Sequence, residues 1–260
     1  MSYCYIMITQ QDIKYIRSLR QNKFRKIHNE FIIEGPKSIL ELINTKIKIL
    51  KIYALETWIE DNINIISNVN YEIIKEKQLK QLSNQKTPNQ AIAIAEIPEH
   101  KLAPSIFNNE LILVLDNIND PGNFGTIIRT ADWFGIKHII CSTDTVDAYN
   151  PKIVQASMSS IGRVNIYYEY LQAMLSSVAH SIPVYGTFIN AENINKKTNN
   201  HKNALVIIGN EANGISKELL PFIKHKITIP SYKNENNNSQ VESLNASVAT
   251  AIICYFFRFM

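Results

Sequence analysis

The sequence predicts an α/β protein whose larger part is a mostly parallel sheet covered by helices on both faces. Beyond residue 107, short apolar runs alternate with helical stretches, and the first run, ELILVLD, ends in the polar, Gly-containing segment DNINDPGNFG. This alternation favours a parallel sheet, because each crossover helix returns the chain to the same edge of the sheet. The expected strands cover residues 110–116, 137–142, 163–167, 182–188, 204–208 and 226–229.

The first hundred residues predict a smaller α/β unit. A helix is expected over residues 10–20, followed by the strands FIIEG, KILKIYAL, YEII and AIAIAE and the intervening helices PKSILELI, ETWIED and KEKQLKQL. The segment IPEHKLAPS contains two prolines and little hydrophobic pattern, so we expect a linker there. The predicted organisation is an N-terminal domain over 1–97, a linker over 98–107 and a C-terminal domain over 108–260. In the C-terminal domain, Asn150 and Pro151 predict the start of a helix.

Composition narrows the class of protein. At 260 residues the chain is long enough for two ordinary domains. Its cysteines, Cys4, Cys141 and Cys254, are widely spaced, so neither a disulfide framework nor a zinc site is predicted. The N-terminus lacks the pattern of a signal peptide, and no apolar run reaches membrane-spanning length. We therefore expect a cytoplasmic protein that has no bound metal and does not enter a membrane.

A basic cluster precedes the first predicted strand. The net charge of +4 is compatible with an RNA substrate without requiring one. The cluster consists of Arg17, Arg20, Lys23, Arg25, Lys26 and His28. It predicts phosphate contacts with RNA, and the alternative is an ordinary solvated helix face, which composition alone favours equally.

The segment DNINDPGNFGTIIRTADWFG joins a buried strand to a helix. Pro121, Gly122 and Gly125 predict a sharp bend that brings the backbone close to a ligand, and Asn123 places an amide at the helix entry. The apolar residues of the helix recur at helical spacing, whereas Arg129 lies off that stripe. Arg129 is therefore a candidate for binding or catalysis, with a solvated surface position as the alternative.

Two later segments repeat the pattern of a strand followed by a polar loop. NALVIIGNEANGIS places Glu211 between Gly209 and Gly214, and a helix beginning near SLNASVATAIICY carries Ser243 and Asn245 at its start. Each polar residue also has a structural interpretation, since Asn beside Gly is a common turn residue, and Glu or Ser near a helix start is often only a cap.

These three segments, in this order, resemble the SpoU (TrmH) family of the SPOUT superfamily, the RNA ribose 2′-O-methyltransferases that use S-adenosylmethionine. The matching positions are Asn123, Gly125, Arg129, Thr130, Ala131, Gly209, Glu211, Gly214, Ile229, Pro230, Ser243, Leu244, Asn245 and Ser247. The resemblance covers about half of the chain and implies a deep trefoil knot and a homodimer formed through the last helix. The phrase NEFIIEGPKSILELI is similar to the start of the substrate-binding domain that often precedes SpoU catalytic domains and is related to RNA-binding ribosomal proteins. The resemblance therefore implies an RNA substrate-binding domain over 1–97 and a SpoU-type catalytic domain over 108–260.

The resemblance also implies roles for particular residues. It places Asn123, Arg129, Glu211, Ser243 and Asn245 in the catalytic and substrate-positioning set, with Ser243 acting across a dimer interface. It assigns cofactor contacts to backbone and apolar groups at Thr187, Gly209, Ile229 and Leu244. Arg129 is either a base or a phosphate clamp, and the high pKa of a guanidinium favours the clamp.

The expected function is therefore S-adenosylmethionine-dependent methylation of a ribose 2′-hydroxyl, on large-subunit rRNA first and tRNA second. The alternative is an RNA-binding ribosome-assembly factor that has the same fold without turnover. The loop SYKNENNNSQVE departs from the family pattern, in which small or apolar residues are more common before the Ser-Leu-Asn sequence. This departure is expected to alter substrate or cofactor entry. No GxGxxG follows the first strand of the catalytic domain, which argues against a nicotinamide site.

Overall fold

The computed structural model describes residues 8–194, 203–231 and 243–260. The chain divides into two compact units. The first unit consists of Met1–Glu99 and Asp147–Arg163, and the second consists of His100–Val146 and Val164–Met260. Cys4, most of the polar run NKKTNNHKN and nearly all of the loop SYKNENNNSQVE lie outside the described residues.

The first unit contains a four-stranded sheet in the order β1, β4, β2, β3. Strand β4 is antiparallel to β1 and β2, whereas β2 and β3 are parallel. The strands are β1 (Glu30–Glu34), β2 (Ile49–Ala54), β3 (Tyr71–Ile73) and β4 (Ala91–Glu96). The helices are α1 (Gln10–Ser18), α2 (Asn22–His28), α3 (Pro36–Ile43), α4 (Glu56–Ile66), α5 (Glu76–Leu82) and α7 (Pro151–Ala156).

The helix expected over residues 10–20 ends earlier than predicted and is followed by a second one. Helix α1 begins at a capping box, in which Thr9 Oγ1 accepts from Asp12 N and the Asp12 carboxylate accepts from Thr9 N. Ile13 and Ile16 are its buried residues. Helix α2 then carries most of the basic cluster, so the cluster lies on two short helices.

The segment Asp147–Arg163 packs with the first unit although it follows the predicted linker in sequence. The ring of Tyr149 lies 4.9 Å from the ring of Phe31 in β1. A Cβ atom at Gly162 would lie 2.6 Å from Cδ2 of Leu42 in α3, so the backbone approaches α3 closely there. Helix α7 starts as predicted, since Asn150 Oδ1 accepts from Lys152 N and Pro151 occupies the first turn.

The second unit contains a six-stranded parallel sheet in the order β10, β8, β9, β5, β6, β7, which confirms the predicted α/β class. Strands β5 and β9 are buried throughout, as expected for a sheet covered on both faces. The strands are β5 (Leu111–Leu115), β6 (His138–Ser142), β7 (Asn165–Glu169), β8 (Val184–Asn193), β9 (Ala204–Ile208) and β10 (His225–Thr228). The helices are α6 (Pro121–Trp133), α8 (Leu171–Val178) and α9 (Ala246–Phe259), with 3-10 turns at Pro104–Phe107 and Lys217–Phe222.

The end of α9 is fastened to the end of α6. Arg258 donates from Nε to the carbonyl of Phe134 over 2.8 Å and from Nη2 to the carbonyl of Gly135 over 2.9 Å. A cation at a helix C-terminus satisfies carbonyls that have no partner within the helix. Among the described residues, no helix has the length and hydropathy needed to cross a membrane.

Candidate active site

The turn that follows β5 leads into helix α6, which carries two of the predicted site residues, Asn123 and Arg129. The prediction of a bend at Pro121, Gly122 and Gly125 is wrong in position, because all three lie inside α6. Asn117 instead has φ of 57°, the left-handed region that Asn tolerates better than most residues. Proline suits the first helical turn, since its ring presets φ and its missing N–H would have no partner there. The chain therefore reverses at Asn117, and α6 begins at Pro121.

Helix α6 begins with a side-chain cap that fixes Asn123. Asp120 Oδ1 accepts a hydrogen bond from the Asn123 backbone N–H over 2.7 Å. The apolar stripe of the helix is buried as predicted, and Arg129 is exposed. Arg129 shares its exposed face with Thr126 and with Trp133, whose side chain is 84% exposed.

A tight loop follows β9 and needs glycine at two positions. A Cβ atom at Gly209 would lie 2.4 Å from the carbonyl carbon of Gly214, and Gly214 itself has φ of 69°. Asn210 and Gly214 exchange two backbone hydrogen bonds of 3.0 and 2.9 Å across the loop. Asn210 Nδ2 also donates to the carbonyl of Asn117 over 2.8 Å. This loop is therefore closed on itself and held against the turn after β5.

Three predicted site residues from three distant segments meet in one hydrogen-bonded network. Asn123 Nδ2 donates to Glu211 Oε1 over 2.6 Å, and Asn245 Nδ2 donates to Asn123 Oδ1 over 2.8 Å. Asn245 is at the same time the N-cap of α9, because its Oδ1 accepts from the backbone N–H groups of Ser247 and Val248. We call Asn123, Glu211 and Asn245 the amide–carboxylate network.

The network orients the Asn123 amide and leaves the Glu211 carboxylate exposed. The Asn123 amide is used at both ends, as donor to Glu211 and as acceptor from Asn245, so its orientation is set. Glu211 is exposed, and its carboxylate accepts hydrogen bonds. It can accept another from a hydroxyl or pair with a cation. Glu211 therefore does not serve as the helix cap that the sequence also allowed.

Arg129 and Ser243 are not joined to this network. Both side chains are exposed, and within residues 8–194, 203–231 and 243–260 no hydrogen bond connects either of them to Asn123, Glu211 or Asn245. The structure thus brings together three of the five residues expected in the catalytic set. The helix cap at this position is Asn245 rather than Ser243.

Two of the residues expected to bind the cofactor directly follow strands of the parallel sheet, and a third does not. Thr187 was expected at a strand end but lies within β8, which continues to Asn193, and it donates from Oγ1 to the carbonyl of Ile207 in β9 over 3.1 Å. Gly209 directly follows β9, and Ile229 directly follows β10. Leu244 precedes the N-cap of α9 and is 48% exposed. Backbone groups at strand ends together with an exposed apolar side chain fit the mixed chemistry of S-adenosylmethionine, an adenosine joined to a methionine chain.

Several supporting residues were missed by the sequence analysis. Asp116 Oδ2 accepts from Ser216 N over 2.6 Å, Asn117 N donates to Ser142 Oγ over 2.9 Å, and Asn210 links the two loops. Each lies at the end of a strand and is an Asp or Asn, the residue types that bond to nearby backbone in turns. That combination is the signal that would have identified them. The described residues contain no group of three His, Cys, Asp or Glu side chains that suits a metal ion.

The basic cluster in the first unit separates into two kinds of residue. Arg17, Lys23, Lys26 and His28 are exposed. Arg20 is half-buried and donates to the carbonyl of Leu82 over 2.7 Å, and desolvation lowers the pKa of its guanidinium. The exposed members remain available to phosphate groups.

Arg25 corrects the prediction of an RNA contact, because its side chain is only 2% exposed. Its Nε and Nη2 both donate to Asp147 Oδ2, over 2.8 and 2.5 Å, and its Nη1 donates to the carbonyls of Leu19 and Arg20. A guanidinium with four hydrogen bonds inside the protein cannot reach a phosphate. Arg25 instead fastens the segment Asp147–Arg163 to α1 and α2.

Comparisons with known proteins identify the class to which this fold and site belong. The model of the SpoU rRNA methylase family matches residues 110–255, and that of an MRM3-like substrate-binding domain matches residues 10–93. The chain is 29% identical to the 23S rRNA (guanosine(2553)-2′-O)-methyltransferase RlmP of Bacillus subtilis over 95% of this chain and 96% of that protein.

Solved structures agree with this assignment. A protein of Porphyromonas gingivalis assigned to the TrmH family of RNA methyltransferases superimposes with a TM-score of 0.85 and 33% identity, over 97% of this chain and 99% of that one. An S-adenosylmethionine-bound rRNA methyltransferase of Sinorhizobium meliloti superimposes with a TM-score of 0.80 and 25% identity, over 96% and 95%. The chain belongs to the SpoU methylase family. It is an RNA methyltransferase whose methyl donor is S-adenosylmethionine.

Proposed function

We propose that this enzyme methylates a ribose 2′-hydroxyl of large-subunit rRNA in the cytoplasm. The observation that carries the proposal is the amide–carboxylate network, which joins the three family segments at the carboxyl edge of the parallel sheet. The choice of rRNA is supported by the similarity to RlmP, which extends over both units rather than over the catalytic segments alone. A substrate-binding domain at residues 10–93 agrees with a large structured RNA.

The site residues have to position the ribose 2′-hydroxyl and accept a hydrogen bond from it. When bound, S-adenosylmethionine supplies a methyl group on a sulfonium sulfur. That sulfur is a good leaving group, because it departs as a neutral thioether, and no metal is needed. The exposed Glu211 carboxylate accepts a hydrogen bond from the ribose, and Asn123 holds that carboxylate in place. Arg129 grips the adjoining phosphate with its planar guanidinium, whose fork of N–H donors matches two phosphate oxygens. Ser243 and Asn245 complete the positioning set.

The cofactor contacts are proposed at Thr187, Gly209, Ile229 and Leu244. Gly209 and Ile229 directly follow β9 and β10, where backbone groups extend beyond the sheet. Thr187 lies within β8 beside Ile207 of β9, and Leu244 adds an exposed apolar side chain. The trefoil knot and the relation of the first unit to RNA-binding ribosomal proteins are proposed from the family resemblance. The polar loop over 232–242 is expected to modify entry to this site.

A homodimer through α9 is part of the proposal. This helix buries one face against the second unit yet leaves Val248, Ile252, Tyr255 and Phe259 exposed on the other. Trp133 at the end of α6 is also exposed, and the Phe134 and Phe259 rings of the two helices lie 6.2 Å apart. Large exposed apolar side chains on one pair of helices are typical of an interface. A second copy covering this face would place Ser243 near the subunit boundary.

The function is tested by mapping ribose methylation on rRNA and tRNA from cells with and without the gene. We expect one 2′-O-methyl position of large-subunit rRNA to disappear and to be restored by the purified enzyme with S-adenosylmethionine. Loss of a tRNA position instead would move the target to tRNA. If no position changes and the enzyme transfers no methyl group to either RNA, the non-catalytic assembly factor becomes the better reading.

A further inference from the structure

A cavity of about 330 Å³ opens on the first unit, and its lining residues are not among those of the candidate active site. It lies between β1, the loop that follows α5, and α7. Its volume is in the lower part of the range for sites that bind small organic groups, about 300 to 1,000 Å³, and suits one nucleotide. All of its lining residues belong to the first unit.

The apolar residues of the lining offer little surface to a ligand. Ile32 of β1 is 2% exposed and Val154 of α7 is 5% exposed, so neither can act as a stacking platform for a nucleobase. Pro151, at the start of α7, is half-buried and also lines the cavity. Recognition in the cavity therefore depends mainly on the polar residues of its lining.

The walls carry side chains that can bond to the edges of a base. Gln85 and Gln155 line opposite sides, one from the loop and one from α7, and each amide has both donors and an acceptor. Thr87 adds a hydroxyl from the exposed part of the loop. Amides from the loop and from α7 match the hydrogen-bonding edges of the unstacked bases that proteins recognise in single-stranded RNA.

The charges at the mouth favour a phosphodiester. Lys86 and Lys152 line the cavity from its two sides, and both are exposed. Glu34 is the acidic residue of the lining, and its carboxylate already has hydrogen-bond partners within the protein. It accepts from Ser83 Oγ over 2.6 Å and from Asn84 N over 3.0 Å. Glu34 therefore holds the loop in position, and the two ammonium groups face solvent.

We propose that this cavity binds one unpaired nucleotide of the substrate RNA, separate from the nucleotide that is methylated. The edge of the base bonds to Gln85 and Gln155, and the flanking phosphates pair with Lys86 and Lys152. The inference rests on the proposed function only in that RNA is the substrate. It gives α7, and hence the connection between β6 and β7, a direct part in RNA binding.

The test uses the full chain and unmodified 23S rRNA transcribed in vitro with 4-thiouridine. Irradiation is expected to crosslink the RNA to peptides containing residues 84–87 or 151–155. Thr87→Trp fills the mouth without changing charge, and Lys86→Ala with Lys152→Ala removes the cations without filling it. Each is expected to weaken RNA binding about tenfold, through the loss of the base contacts in the first variant and of the phosphate contacts in the second. Lys46→Ala, an exposed lysine of the same unit outside the cavity, is the matched control and is expected to change affinity less than about twofold.

The outcomes separate this inference from the proposed function. If the wild-type enzyme methylates RNA, yet both cavity variants bind it as Lys46→Ala does and no crosslink falls on these peptides, the inference is overturned. Saturable binding of free GMP that Thr87→Trp removes, with RNA binding unaffected, would also overturn it in favour of a free nucleotide. Failure of the wild-type enzyme to bind or methylate any RNA would contradict the proposed function itself. If Thr87→Trp fails to fold, the double lysine variant and the crosslinks still decide.

Discussion

Asn123 donates a hydrogen bond from Nδ2 to Glu211 Oε1 over 2.6 Å, although the two residues are 88 positions apart in sequence. The bond joins the first turn of α6 to the loop after β9 and fixes where the exposed carboxylate lies. Because Asn245 bonds to the other end of the same amide, Asn123 connects all three segments of the site. The first prediction tests this arrangement.

Asn123→Asp is expected to lower kcat/KM at least about tenfold, or about 1.4 kcal/mol of transition-state stabilisation. The substitution removes the donor and places a second carboxylate against Glu211, where like charges repel. Steady-state methyl transfer from labelled S-adenosylmethionine measures the effect. Adding Glu211→Gln to Asn123→Asp restores a donor and an acceptor, so partial recovery is expected. Wild-type kcat/KM in the single variant would show that the bond does not matter for turnover.

Arg129→Ala is expected to abolish methyl transfer with folding and cofactor affinity nearly unchanged, because Arg129 is exposed and lies off the buried stripe of α6. Arg129→Lys should lose at least about tenfold in kcat/KM, since a point-charge ammonium cannot replace a planar two-point grip. Thr126→Ser, on the same exposed face, is the control and should behave as wild type. Full activity in Arg129→Ala would remove Arg129 from the site, and unfolding would assign it a structural role.

Gly209→Ala is expected to weaken S-adenosylmethionine binding at least about tenfold, or about 1.4 kcal/mol. The added Cβ would lie 2.4 Å from the Gly214 backbone, so the loop has to open. Calorimetry in the presence of a chelator measures the affinity, and the wild-type enzyme should still bind, since no metal is needed. Ala212→Gly in the same exposed loop is the control. If Gly209→Ala binds S-adenosylmethionine as tightly as the wild-type enzyme does, the cofactor lies elsewhere. If the wild-type enzyme stops binding it when the chelator is added, a metal is required.

Replacing Arg17, Lys23 and Lys26 together with alanine is expected to weaken RNA binding and to reduce the log–log salt slope by roughly 2 to 3, since three phosphate contacts are lost. Cofactor affinity should not change. Filter binding of rRNA over a series of salt concentrations gives the slope. An unchanged slope would mean that these side chains form only a solvated helix face.

Arg25→Ala, unlike the triple variant, should lower the free energy of unfolding and have little direct effect on the salt dependence of RNA binding. Removing one partner of a buried ion pair leaves the other uncompensated, and we expect a loss of about 3 kcal/mol in the free energy of unfolding, at the low end of such effects because Asp147 is 19% exposed. Urea denaturation measures the loss, with the exposed neighbour Lys26→Ala as control. Unchanged stability in Arg25→Ala would contradict the assigned role.

Ile252→Glu is expected to convert a dimer into a monomer, because it places a charge on the exposed apolar face of α9. Light scattering at micromolar concentration measures the mass. Tyr170→Glu is the matched control, since Tyr170 is 77% exposed at the start of α8, away from this face. A monomeric wild-type enzyme would contradict the proposed dimer.

The sequence determined the class of the second unit and several members of the site. Alternating apolar runs predicted the parallel sheet because burial on both faces leaves a continuous apolar pattern in each strand. The helical stripe of α6 likewise placed Arg129 outside the core, since periodicity reports which face of a helix is buried. Asn123, Glu211 and Asn245 were predicted from the ends of their segments and the family pattern.

Only the tertiary structure decided how these residues pair and which charged groups are buried. Arg25 and Lys26 are adjacent cations on one short helix, yet Arg25 is buried because Asp147, 122 positions away, meets its guanidinium. Residues 147–163 pack with the first unit, and both this contact and the contact of Tyr149 with Phe31 join them to it. Local sequence patterns report the burial of apolar groups, whereas a polar side chain is buried or exposed according to a partner that folding brings from a distant part of the chain.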